Sequence, residues 1–130
     1  MKNLLLIFTL LFSSVFFSSP SYAEWTKLGE DVQGNTFYVD LERIRKHDGF
    51  VYYWELGNFL KPIESGLWSF KRYRKGDCKL FRFKNLSYSF HKEPMSGGTG
   101  EIYLTPKTQE WDFPPPNSID ETHLKTVCSR

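Results

Sequence analysis

The chain begins with a segment that marks it for export, and this sets the chemical environment in which the remainder must fold. Lys2 precedes an apolar run over residues 4–17, and the small-x-Ala ending Ser21-Tyr22-Ala23 follows. These are the parts of a secretory signal peptide, so we predict that residues 1–23 are cleaved. The alternative is a retained membrane anchor, although the run is shorter than the roughly 20 apolar residues that cross a bilayer.

Two cysteines, Cys78 and Cys128, are the only ones in the chain. In an oxidising compartment an even pair is most simply a disulfide, and two cysteines allow one intramolecular connectivity. A redox-active or catalytic thiol would call for a Cys-x-x-Cys pair or a neighbouring histidine, and Cys78 has neither. We therefore predict a Cys78–Cys128 bond.

Length and charge exclude several classes of protein. Residues 24–130 are enough for a single domain with a modest core, and we expect one. The formal net charge of the whole chain is +2. A nucleic-acid-binding protein would carry a much larger basic excess, so we expect no nucleic acid partner.

Short runs of aromatic and β-branched residues, separated by turn residues, predict an antiparallel sheet of about five or six strands. Asp48-Gly49 is typical of a hairpin turn. The run 50–56 predicts a central strand whose buried face carries Phe50, Tyr52, Trp54 and Leu56. Glu55 falls on the opposite face, which we predict to be solvated. The glycine-rich loop 97–100 precedes a short strand and lacks a Lys-Ser/Thr pair, which favours a hairpin loop over a phosphate cradle.

The end of the chain predicts the only helix. Ser118 and Glu121 have the spacing of a capping box, and a proline run precedes them. On a helical wheel the inward half carries Ile119, Leu124, Val127 and Cys128. Cys128 would then reach Cys78 and pin the helix to the sheet.

No recognisable catalytic, metal or cofactor motif is present. His47, His91 and His123 lack the spacing of a metal site on one element, and we predict His123 to be a packed histidine with a hydrogen-bond partner. Gly-x-Ser-x-Gly is absent. We therefore expect no enzyme activity, cofactor or metal.

A dense cluster of cations between residues 71 and 84 is the candidate binding surface. Aromatic residues are interleaved with it, as in a surface for a polyanionic glycan, a lipid headgroup or an acidic protein. The alternative is a solvated face that protects edge strands from mispairing. The seven cations are Lys71, Arg72, Arg74, Lys75, Lys79, Arg82 and Lys84.

Several short motifs in order resemble the bacterial surface-adhesin protein E family. They are Trp25, residues 36–40, Tyr52-Tyr53-Trp54, Asp77-Cys78, the glycine-rich loop, Pro106 with Trp111, Pro114-Pro115 and Val127-Cys128. The resemblance implies a small exported α+β domain over residues 24–130, with an antiparallel sheet and a disulfide-anchored C-terminal helix. It also implies a non-enzymatic module that binds an extracellular or envelope partner.

The resulting interpretation is an exported binding module, periplasmic, secreted or associated with the cell surface. Two alternatives remain open. One is a periplasmic carrier of a small apolar or haem-like ligand. The other is a compact periplasmic hydrolase that uses a cleft containing Glu55 or His123.

Overall fold

The computed structural model describes residues 24–106 and 108–130, so the predicted signal peptide at residues 1–23 lies outside the described residues. The described part contains seven strands and one α-helix. They are β1 Trp25–Glu30, β2 Thr36–Asp40, β3 Arg45–His47, β4 Phe50–Ile63, β5 Leu67–Asp77, β6 Arg82–His91, β7 Glu101–Leu104 and α1 Ile119–Cys128.

All strands form one antiparallel sheet in the order β1-β2-β4-β5-β6-β7, and β3 pairs with the start of β4. The predicted turn at Asp48-Gly49 joins β3 to β4, and both residues have the positive φ that a tight hairpin turn requires. The predicted α+β fold, with an antiparallel sheet and a C-terminal helix, is confirmed.

Helix α1 covers one end of one side of the sheet, which we call the helix face. The other side, which we call the open face, is covered at one end by the loop after β6, where Glu93 and Ser96 bond to the buried side chain of Ser69. The core on the helix face consists of Val39, Val51, Tyr53, Leu124 and Val127. Gly76 of β5 allows this close approach, because a Cβ there would lie 2.9 Å from Leu124 Cδ1.

The predicted orientation of β4 is wrong for Glu55, Tyr52 and Trp54, although Leu56 is buried as predicted. Glu55 lies on the helix face, fully buried beside Tyr53, whereas Tyr52 and Trp54 are only half-buried on the open face. Both faces of β4 are rich in aromatic residues, so periodicity alone does not identify the side that the helix covers. The burial of Glu55 is compensated by arginines of β5.

The helix begins and is anchored as predicted. The Glu121 backbone N–H donates to Ser118 Oγ at 3.1 Å, which caps the first turn. At the other end Cys128 forms a disulfide with Cys78, in the turn between β5 and β6. The predicted bond is confirmed, and it ties the last turn of α1 to the sheet.

Candidate functional site

The structure divides the seven predicted cations between the two sides of the sheet. Successive residues of a strand point to opposite faces. Arg72 and Arg74 therefore lie on the helix face, while Lys71 and Lys75 lie on the open face. Arg82 and Lys84 of β6 share the open face, and exposed Lys79 lies in the turn between β5 and β6.

Arg74 is not part of a binding surface, which corrects the sequence prediction for this residue. Its side chain is 1% exposed, and Nη1 lies 2.6 Å from Glu55 Oε2 and 2.7 Å from Asp120 Oδ1. A charge this deeply buried is stable only when it is paired and hydrogen-bonded. Arg74 is thus a structural group that joins β4, β5 and the first turn of α1.

Four charged side chains form a balanced cluster at this point. Arg72 also bonds to Glu55, so the two carboxylates of Glu55 and Asp120 face two guanidinium groups. Burial by itself would lower the pKa of Arg74, but the charges of Glu55 and Asp120 outweigh it and raise that pKa. Arg74 therefore carries its charge in the folded protein.

His123 is a packed histidine, as predicted. It is fully buried, with Nδ1 2.9 Å from the Ile119 carbonyl oxygen and Nε2 3.0 Å from the Tyr38 carbonyl oxygen. Both ring nitrogens face backbone carbonyl oxygens. His123 consequently links α1 to β2 and leaves no nitrogen free for a ligand.

The glycine-rich segment is the loop of the β6–β7 hairpin, as predicted. Gly100 packs so closely against His91 that a Cβ would overlap the imidazole ring. His91 is buried, its Nε2 lies 2.8 Å from Ser89 Oγ, and burial followed by the charge of Lys71 lowers its pKa.

On the open face, cations lie over aromatic rings. The Trp54 and Tyr73 rings are 4.7 Å apart, and Lys71 Nζ lies 5.4 Å from the centre of the Trp54 ring. Lys75 Nζ lies 4.1 Å from the centre of the Phe50 ring. We call this surface the basic aromatic face; it consists of Phe50, Tyr52, Trp54, Lys71, Tyr73, Lys75, Arg82, Lys84 and Trp111.

Trp111 completes the basic aromatic face, and the cation pattern of the sequence did not include it. It stacks on Phe50 at 5.7 Å, with the Arg82 guanidinium at 4.3 Å and Lys84 Nζ at 4.7 Å from its ring. The neighbouring residue Asp112 forms a bridge with Phe83 of β6. This pairing of a distant segment with the sheet brings Trp111 to the cations.

A row of aromatic rings crosses the uncovered part of the helix face. The rings of Phe37, Phe70, Phe90 and Tyr103 follow one another at 6.5, 6.5 and 6.1 Å, one from each of four strands. Beside them is a groove of about 350 Å³. It is lined by Phe59, Phe70, Arg72, Asn85, Tyr88 and Phe90.

Gly57 allows the ring row to form, and we predict that Gly57→Ala disrupts it. The outer end of the Phe70 ring, at Cζ and Cε1, lies against Gly57, and a Cβ there would overlap it. We expect a loss of about 1–3 kcal/mol in the free energy of unfolding, measured by urea denaturation. In a Phe70→Ala background the overlap is gone, and the same substitution should cost much less. An equal cost in both backgrounds would contradict this explanation.

Two further searches of the structure concern metals and membranes. Within residues 24–106 and 108–130, no three His, Cys, Asp or Glu side chains are grouped so that they could hold a metal ion. None of the helices described is both long enough and apolar enough to cross a membrane.

Comparison with known proteins identifies one family. A family model described as surface-adhesin protein E matches residues 25–129. Three crystal structures of Haemophilus influenzae protein E are similar in fold. Crystal form II is 17% identical, with a TM-score of 0.57, and the match covers 86% of this chain and 92% of that one. The selenomethionine form is 15% identical, with a TM-score of 0.60 and coverages of 87% and 92%. A third structure is 16% identical, with a TM-score of 0.60 and coverages of 86% and 89%. No curated protein sequence matches the chain.

Proposed function

Because the chain belongs to the surface-adhesin protein E family, we propose that it is an exported, non-enzymatic binding module that acts in the periplasm or outside the cell. Its partner is an anionic molecule of the envelope or the extracellular space. The contact surface is the basic aromatic face. No cofactor takes part, and the signal peptide at residues 1–23 directs the export.

The observation that carries this proposal is the set of uncompensated lysines on the basic aromatic face. Lys71, Lys75 and Lys84 form no salt bridge with any described residue. Arg82, by contrast, is paired with Asp77 at 2.9 Å. Three ammonium groups held over aromatic rings are already partly ordered, so binding an anion costs little further side-chain entropy.

The same geometry favours a polyanionic glycan over the other anionic partners. The face alternates rings with cations, so the apolar faces of successive sugars can lie on the rings while sulfate or carboxylate groups reach the lysines. An acidic protein or a lipid headgroup would use the same cations but would not repeat a ring-sized apolar face between its charged groups.

Glu55 and His123, the residues of the hydrolase alternative, are both held in buried contacts. His123 Nδ1 lies 3.8 Å from Glu55 Oε2, and this pair is fully buried beneath α1. Glu55 is bound by two arginines, and both ring nitrogens of His123 face backbone carbonyl oxygens. Neither group can reach a substrate without detachment of the helix, which supports a non-enzymatic role.

We predict that a triple variant, Lys71→Glu, Lys75→Glu and Lys84→Glu, binds immobilised heparin at least about tenfold more weakly than the parent, because each lost contact contributes up to about 1 kcal/mol. Salt elution from a heparin column and titration calorimetry measure the change. The dependence of affinity on salt concentration should also become weaker.

A matched control distinguishes the loss of the basic aromatic face from the change in net charge. Lys61, Lys92 and Lys125 are exposed and lie outside the basic aromatic face, and reversing all three changes the net charge by the same amount. This control should keep most of the affinity. Equal losses of affinity in both variants would show that heparin binding depends only on the net charge of the protein. If instead phosphatidylglycerol vesicles bound more tightly than heparin and lost binding in the first variant alone, the partner would be a lipid headgroup.

A further inference from the structure

Strand β7 is an open edge of the sheet. It pairs with β6 on one side, no described strand pairs with its other side, and all four of its residues are exposed. Thr105 N–H donates to the Leu86 carbonyl oxygen at 3.0 Å. Hydrogen-bonded pairs alternate along an antiparallel ladder, so the backbone N–H and C=O groups of Ile102 and Leu104 point away from β6. They form a template for another strand.

The opposite edge of the sheet, strand β1, is protected against pairing with another strand, whereas β7 is not. Strand β1 has an irregularity in register between Lys27 and Gly29, carries charged side chains, and packs against α1 through a contact of Gly29 with Ile119. A bulge, charges and a covering helix are the usual means of blocking an edge. Strand β7 has none of these apart from Glu101.

The side chains of β7 indicate what kind of strand would fit. Ile102 and Leu104 are 75% and 80% exposed on one face, which suits aliphatic neighbours. On the other face Tyr103 ends the row of aromatic rings and stacks on Tyr88 at 5.5 Å. A strand beside β7 would extend that row if it placed an aromatic ring next to Tyr103.

We propose that β7 binds an extended segment of a partner protein as an added strand, with an aromatic side chain beside Tyr103 and aliphatic side chains beside Ile102 and Leu104. The added backbone hydrogen bonds supply affinity, and the alternating side chains supply selectivity. This surface is separate from the lysines of the basic aromatic face, so the proposal stands or falls independently of glycan binding.

The probe is the synthetic peptide Ac-Lys-Thr-Val-Tyr-Val-Thr-Lys-NH2, added up to millimolar concentration to the ¹⁵N-labelled protein. We expect amide shift changes centred on Ile102 and Leu104. In the proposed register the two valine amides of the peptide face the edge. N-methylation of both should weaken binding about tenfold or more, whereas N-methylation of the tyrosine should not. Equal affinities of the two methylated peptides, or no shift changes in β7, would overturn the proposal.

A substitution in β7 itself tests the same interaction by changing the protein instead of the peptide. Proline is tolerated on an edge strand where its missing N–H would have faced outward, so Ile102→Pro removes an edge donor and leaves the bonds to β6 in place. Binding of the peptide should fall at least about tenfold, and Ile102→Val, which keeps the N–H, should bind like the parent. If Ile102→Pro is less stable than the parent, Ile102→Lys replaces it as the test variant, because a charged side chain at this position would face the valines of the peptide and weaken binding. Unchanged binding in a folded Ile102→Pro or Ile102→Lys variant contradicts the proposal. A concentration-dependent dimer that Ile102→Lys abolishes would assign the edge to a second copy of this chain instead.

Discussion

Replacement of Arg74 by methionine is expected to lower the free energy of unfolding by up to about 3–5 kcal/mol, because the buried Glu55 carboxylate loses its partner at 2.6 Å and keeps only the half-exposed Arg72. The substitution preserves most of the apolar volume, so the loss is electrostatic more than steric. Asp120 would also lose its contact, which loosens the first turn of α1. Urea denaturation followed by tryptophan fluorescence and by circular dichroism measures the loss.

Two comparisons distinguish the buried ion pair from a general effect of removing a cation. Lys125→Met removes an exposed charge from α1 and should change stability by less than about 0.5 kcal/mol. Combining Arg74→Met with Glu55→Leu removes both buried charges, and we expect much of the lost stability to return. If Arg74→Met costs no more than Lys125→Met, Arg74 is not a structural group.

The strand that begins at Phe50 could be predicted from the sequence, because alternation and turn residues are local properties, whereas β1 and the short β3 were not predicted. The burial of Glu55 could not be predicted. Both faces of β4 carry aromatic residues, and the choice between them depends on where α1 packs and on the arginines of β5. These are tertiary interactions that the periodicity of a single strand does not contain.

The cation cluster also shows that local sequence does not predict which residues share a surface. A run of basic residues predicts one surface, yet consecutive residues of a strand alternate between faces. Arg72 and Arg74 therefore stabilise the helix face, and Lys71 and Lys75 remain on the open face. Trp111 joins the lysines only because Asp112 pairs with β6, a contact between segments about 30 residues apart.

The Cys78–Cys128 bond was predictable because two cysteines in an exported chain leave one pairing. Its expected contribution to stability is large. The bond closes a loop with a sequence separation of 50, for which the chain-entropy model gives about 4 kcal/mol. We therefore expect the double variant Cys78→Ser and Cys128→Ser to lower the thermal midpoint by about 15 °C or more.

The reason to expect a folded variant below that midpoint is that α1 has other attachments. Leu124 and Val127 remain in the core, and Asp120 still binds Arg74. The last turn of α1, near Cys128, should lose amide protection first, since Val127 is the only core residue that still holds this turn. Calorimetry and hydrogen exchange measure both effects. The control is reductant, which should lower the midpoint of the parent and leave the variant unchanged. If the variant and the parent melt together without reductant, the disulfide is dispensable, and the core contacts with the Arg74–Asp120 pair are enough to hold the helix.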